Sequence, residues 1–351
     1  MGLSLLAGPA NAGKVALLLE RYLARLDDEP VLIVPNRSDV DRVERDLLAR
    51  SGCLLGGTIG TFDDLFARLA GGERPVCSDA QRALVVRRAL AGVSLNGLSR
   101  SARTGGFGES LARTLGELES GLLDPGDVDG DLALLYGAYR AELDRLGLWD
   151  RDLQRRHAAE RVQSNLDAWH GEPVFAYGFE DLTGAEWALL EALAGRTEVH
   201  VSLPYEPGRL AFASLSRTAD DLAALAGGAI EELAPRSAEY AHPALAHLER
   251  SLFEESPPPP PDLDAAVRFF EGAGVRGTLE LVGDELLHLL RSGTPAEQIA
   301  IVAPSLDGWR APLETVLGGL CVPYAIASGA RLGSTPPCGS SRAPASAARS
   351  S

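Results

Sequence analysis

Lys14 is the single lysine among the thirty-three basic residues of this 351-residue chain, and it stands in the run Gly8-Pro-Ala-Asn-Ala-Gly-Lys-Val15. The spacing is G-x-x-x-x-G-K, a loop whose backbone N–H groups and compact ammonium cradle phosphate. Arginine's wide planar fork does not fit such a concave loop, which accounts for a lysine in a chain whose other cations are all arginine. The loop belongs between a strand and a helix, and both flanks agree. Residues 3–7 are an apolar strand candidate, and Leu17, Leu18, Tyr22 and Leu26 recur at helical spacing behind the loop. Gly8, Pro9, Ala10, Asn11, Ala12, Gly13, Lys14 and Val15 are therefore the nucleotide-binding candidates. The competing account is a glycine-rich turn carrying a chance lysine.

One position departs from the pattern. The residue after the lysine is ordinarily Ser or Thr, whose hydroxyl binds Mg²⁺; here it is Val15. Nucleotide binding survives that change more readily than metal-assisted hydrolysis does.

The chain is long enough for two or three domains, and no stretch approaches the ~18 uninterrupted apolar residues of a membrane span. Its apolar start lacks a basic region and runs straight into the loop, as a first core strand would and a signal peptide would not. Cys53, Cys77, Cys321 and Cys338 are far apart with no C-x-x-C pairing, so the expectation is a reducing cytoplasm, no zinc site and no disulfide framework. The net charge of −16 argues against a generic nucleic-acid-coating protein. It leaves room for a groove lined by arginines, with Arg82, Arg87, Arg88, Arg100, Arg103 and Arg113 in one region and Arg151, Arg155, Arg156 and Arg161 in another. A solvated helix face is the alternative for either run.

Along the chain, residues 30–36 form an apolar run bounded by prolines, which is how a buried parallel strand reads. Ser38 is placed to cap a helix over 39–49. Residues 58–61 predict a third strand and 62–69 a helix, an alternation that means an α/β domain with a parallel sheet. From 78 to about 161 only helical periodicity is visible, over 80–90, 110–118, 132–146 and 153–166. Strand patterns return at 173–178 and 198–203 around a helix at 184–194, and further helices are expected over 220–233 and 243–253. Five consecutive prolines, 257–261, read as a stiff linker. Beyond them, strands are expected at 267–270, 298–303 and 323–327, with helices at 277–290 and 307–317. The organisation expected is a first α/β domain over 1–77 and 167–256, an inserted helical subdomain over 78–166, a linker over 257–262 and an incomplete second α/β domain over 263–336. Residues 337–351 read as a low-complexity tail, either disordered or an out-of-frame or truncated end.

Five segments in this order resemble superfamily 1 helicases of the UvrD and RecB kind: the loop at 8–15; Val31-Leu-Ile-Val-Pro-Asn36; Gly57-Thr-Ile-Gly-Thr-Phe-Asp-Asp-Leu-Phe66; the Tyr139…Leu…Gly…Asp…Asp-Leu153 element; and residues 279–287 with 298–302. Gly178-Phe-Glu-Asp-Leu-Thr-Gly-Ala-Glu186 is similar to the corresponding stretch of AddB-type helicase–nuclease subunits, where an active helicase carries Asp-Glu directly after the strand. This resemblance implies a P-loop, helicase-like fold with an inserted helical subdomain and the start of a second motor-like domain. It implies ATP, with Mg²⁺, at the loop and at Glu280. DNA contacts are expected at Thr61, Phe62 and Arg155, with packing of Phe62 in the core as the alternative for that ring. The resemblance further implies a role in double-strand break repair beside a motor subunit of the AddA type. The family's nuclease motif, its iron–sulfur cluster and the later helicase motifs, including the arginine that completes the ATP site, have no counterpart in these residues. No catalytic residue and no metal ligand is therefore assigned. The displaced acids Glu180 and Asp181, together with Val15, favour a second reading, a non-catalytic DNA- and partner-binding scaffold with a vestigial nucleotide site. An unrelated P-loop kinase or ATPase fits the helical insertion and the second domain poorly.

Overall fold

The structure is a computed structural model and describes residues 2–326 apart from 229, 264, 265 and 307. Six strands form one sheet: β1 (Gly2–Gly8), β2 (Val31–Ile33), β3 (Thr58–Gly60), β4 (Val174–Tyr177), β5 (Glu198–Pro204) and β6 (Ile230–Glu232). Their order is β3-β2-β4-β5-β1-β6, and every pair is parallel.

The pleat sorts side chains to two faces. Leu32, Val34, Phe175 and Tyr177 point to one, where they pack with Leu18, Leu19 and Tyr22 of α1 (Lys14–Leu23) and Val40, Val43 and Leu47 of α2 (Arg37–Ser51). Leu5, Val31, Ile33, Val174, Val199 and Val201 point to the other. That face is covered by α3 (Phe62–Ala70), with helices of the later chain that are named below.

The helical stretch divides between two cores. The first three helices, α4 (Asp79–Ala91), α5 (Phe107–Ser120) and α6 (Gly130–Leu146), build their own core around Val85, Val86, Leu111, Leu115, Leu135 and Leu143. The fourth, α7 (Arg151–Ser164), instead buries Ala158, Ala159 and Val162 in the sheet's core. There it lies with α3, α8 (Gly184–Ala194) and α9 (Ser216–Leu225). Two kinds of contact join lobe to sheet layer. Tyr139 Oη of α6 donates to Asp150, the cap of α7, at 2.5 Å, and Ser120 Oγ of α5 donates to Asp152 of α7 at 3.1 Å; within the sheet layer, Arg155 of α7 bonds Asp152 and, on α3, Asp63. Gly184 is the second: a Cβ there would stand 2.9 Å from the carbonyl oxygen of Ser120, so α8 meets the end of α5 without a side chain between them.

Two expectations fail here. Residues 220–233 are not one helix. α9 stops at Leu225, Gly227 and Gly228 take φ of 67° and 83°, and Ile230–Glu232 pairs with Leu5–Ala7 as the edge strand β6. A three-residue strand with two glutamates carries no period that would separate it from a helix. The cap of α2 also lies two residues earlier than expected, since Asn36 rather than Ser38 accepts from Asp39 N.

After α10 (Ser237–Tyr240) and α11 (Pro243–Ser251), the chain divides into two compact units, Met1–Asp262 and one beginning at Leu263. The described residues of the second unit contain α12 (Gly274–Arg291) and α13 (Arg310–Gly319), packed through Leu279, Leu286, Leu313 and Leu317. The expected strands at 267–270 and 298–303, and the described part of that at 323–327, form no ladder among the described residues. Apolar runs become strands only where a second backbone takes up their N–H and C=O groups; here Val302 is 91% exposed instead. The tail expected over 337–351 lies outside the described residues. No described helix is long and apolar enough to cross a membrane.

Inside the helical lobe, Glu119 is fully buried and held by a bidentate bond from Arg140, whose Nη2 also donates to Tyr136 Oη at 3.1 Å. Burial pushes the Glu119 carboxyl above its ordinary range while Arg140 pulls it back. Arg140→Met should cost about 3–5 kcal/mol near neutral pH by stranding that charge. A raised carboxylate pKa means the folded state takes up protons, so the loss should shrink as pH falls through it. Urea denaturation at two pH values checks both statements.

Candidate nucleotide site

Because all six strands are parallel, their carboxyl ends meet at one edge, where open α/β sheets hold their ligands. Residues 8–13 leave that edge from β1. Asn11 (φ 58°) and Gly13 (φ 93°) take left-handed conformations that curl the backbone into a cup, and Gly13 becomes the N-cap of α1. A glycine cannot cap by side chain, and no side chain caps this helix. Leu17 N reaches Gly13 O at 3.0 Å, so the N–H groups of Lys14, Val15 and Ala16 precede the helix's own ladder. Asn11, Gly13, Lys14, Val15 and Ala16 line an open depression of about 470 Å³.

Lys14 is largely buried, and its Nζ donates to the carbonyls of Gly8 (2.7 Å) and Pro9 (2.5 Å). Burial lowers its pKa to about 8. Ala12 N donates to Pro9 O at 3.4 Å. Val15 exposes its isopropyl group at the rim.

The loop is roofed by a segment that periodicity does not reveal. Leu233 N donates to Ala7 O at 2.8 Å, and a Cβ on Gly8 would lie 2.9 Å from Leu233 O. Three residues on, Arg236 Nη1 would lie 3.8 Å from a Cβ on Gly13, and its guanidinium also pairs with Glu239 at 2.8 Å. The signal that could place Arg236 here is the strand before it, which helical spacing masks. Tyr205, bridged to Gly8 at the end of β5, is the other neighbour.

The remaining candidates are elsewhere. Thr61 caps α3 in a box with Asp64, its hydroxyl committed at 2.9 Å. Phe62 is 3% exposed, tilted against Phe179 and Phe66 with centroids 4.8 and 6.1 Å away. Its ring is packed in the core, which is the alternative weighed for it and not the stacking platform. Arg155 is paired with Asp63 (2.7 Å) and Asp152 (3.0 Å), so it ties α7 to α3. Glu280 belongs to the second unit, on α12, in an exposed pair with Arg276 at 2.9 Å. Asp181 is exposed beyond β4, which β5 separates from β1, and its Oδ1 accepts from Leu182 N.

An anionic phosphate fits this cup: uncapped N–H groups, a buried ammonium and a neighbouring arginine converge on it. Mg²⁺ does not fit as well, since position 15 offers no oxygen. No group of three His, Cys, Asp or Glu side chains among the described residues could hold a metal ion, and Cys53, Cys77 and Cys321 are free thiols.

The B subunit of the ATP-dependent helicase/deoxyribonuclease of Desulforudis audaxviator is 29% identical over 375 residues, covering 93% of this chain and 32% of that protein. Along most of its length the chain is similar to one part of that B subunit. The B subunit of Pelotomaculum thermopropionicum is 26% identical over the same shares, and that of Symbiobacterium thermophilum 31% identical over 57% of this chain and 19% of that protein. The chain spans about a third of the length of the first two B subunits. No protein-family model matches it.

Phe62→Ala should therefore lower stability by about 3–5 kcal/mol, as large-to-small core changes do, and leave nucleic-acid affinity per folded molecule unchanged. Denaturation and binding titration of the same preparation separate the two effects.

Proposed function

We propose that the chain is a nucleotide-binding, helicase-like part of a DNA-processing subunit, and that it holds ATP by the phosphates without turning it over at a motor's rate. The observation that carries this is the uncapped start of α1, with Lys14 buried at the head of the cup. In this reading the N–H groups of residues 14–16 and Lys14 bind the phosphates, and Arg236 adds charge from the roof. The relatives' name supplies the setting, DNA processing by a helicase–deoxyribonuclease. A cytoplasmic location and a motor subunit of the AddA type as partner complete the reading.

Hydrolysis requires more. The hydroxyl that would carry Mg²⁺ is replaced by Val15, and Glu180 and Asp181 are displaced from the position that activates water. A second reading, the DNA- and partner-binding scaffold with a vestigial loop, is favoured by one contact: Lys14 already satisfies itself on Gly8 and Pro9.

Calorimetry with ATP, with and without Mg²⁺, decides between them. Nucleotide binding lost in Lys14→Ala, with the fold intact by circular dichroism, supports the first reading; no affinity in the wild type supports the second. The pH sign is fixed by Lys14, whose pKa is lowered to about 8. Above that pH the empty loop loses the ammonium, so affinity should fall by up to about tenfold per pH unit from there. ATP turnover, with or without DNA, should stay at background, and a rate near a motor's ~1–100 s⁻¹ would overturn the proposal.

A further inference from the structure

Residues 80–108 hold five arginines and no acidic residue, in a chain whose net charge is −16. Two of the five are neutralised internally: Arg82 bonds Tyr139 Oη and Ala112 O and lies 3.9 Å from Asp150, and Arg88 pairs with Glu142 at 3.4 Å. Arg87 on α4, and Arg100 and Arg103 in the loop before α5, are exposed, and their guanidinium groups have no partner among the described residues. Acids outnumber bases by 49 to 33 here, so surface arginines would ordinarily find a carboxylate. Most arginines of this unit do, Arg21, Arg25, Arg74, Arg156 and Arg250 among them.

The loop that carries Arg100 and Arg103 is also held in place. Asp131 of α6 accepts from Asn96 N and Leu98 N at 2.8–3.0 Å, and Leu95, Leu98 and Phe107 anchor it in the lobe's core. Arg87, Ala102, Thr104, Gly105 and Gly108 line a groove of about 620 Å³ between α4 and α5. Two acids border it: Glu109, paired with Arg113 at 3.6 Å, and Asp79.

We infer that this face of the helical lobe is a docking surface for the phosphate backbone of a nucleic acid, read without regard to sequence. Fixed, unneutralised arginines beside bare glycine backbone supply what such binding uses, namely cations that replace condensed counterions. The inference rests on the DNA-processing reading and deepens it by moving the contact from Phe62 and Arg155 to Arg87, Arg100 and Arg103.

The test is fluorescence anisotropy of the full chain with a labelled oligonucleotide, single-stranded and duplex, between about 50 and 200 mM salt. The combined variant Arg87→Gln, Arg100→Gln, Arg103→Gln should weaken binding at low salt by about tenfold or more. It should lower the log–log salt slope by about 2 on single strand or about 3 on duplex, and whichever probe shows the change names the form bound. A variant with Arg50→Gln, Arg151→Gln and Arg291→Gln removes the same charge at three other exposed, unpartnered arginines and should keep most of the binding. Equal loss in both variants, or none in the first, overturns the surface while leaving DNA binding in place. A wild type that binds neither probe overturns the DNA-processing reading with it, whereas nucleotide binding at Lys14 is scored separately.

Discussion

The hydrogen-bonded seat of β1 is the constraint on which the rest depends. All seven of its residues are in register with β5, from Gly2 opposite Glu198 to Gly8 opposite Pro204, and Leu5–Ala7 are taken up on the other side by β6. A strand gripped on both sides cannot slip by one residue without turning Leu3 and Leu5 out of the core. Gly8 is thereby delivered to the carboxyl edge at a fixed height, under Leu233, where only a glycine clears the backbone above it. The cup, the ammonium within it and the arginine over it inherit their positions from that ladder.

How much of this was legible follows from how local each signal was. β1, β2, β4 and β5 are short apolar runs between turn residues, and a parallel strand covered on both faces needs no other mark. The helices of the lobe and the boxes at Thr61 and Ser78 are written within four residues of themselves. β6 was illegible because its identity comes from the partner it meets and not from Ile-Glu-Glu. The apolar runs of the second unit make the complementary point, since their composition asks for strands and no ladder among the described residues supplies the partners.

The site divides in the same way. Lys14 could be found because its chemistry demands a fixed spacing along eight consecutive residues. Phe62 and Arg155 stand out by residue type beside a motif, and residue type says nothing about burial or about a carboxylate 92 residues away in sequence. Arg236 reaches the loop from 223 residues downstream of Gly13, through a strand whose existence was itself a tertiary fact. Arginines on one stretch of sequence were visible from the start. Which of them were already spent became readable only when each guanidinium could be matched to an oxygen.

Gly184 has a consequence of its own. The end of α5 rests on the start of α8 at a point where even a methyl group would collide with the Ser120 carbonyl. The lobe is therefore mounted like a lever on a fulcrum with no clearance. Any side chain at 184 would tilt the far end of α5, and the loop bearing Arg100 and Arg103, by an amount magnified over the helix's fourteen residues. The seat of the lobe on α8 is set by an absent atom.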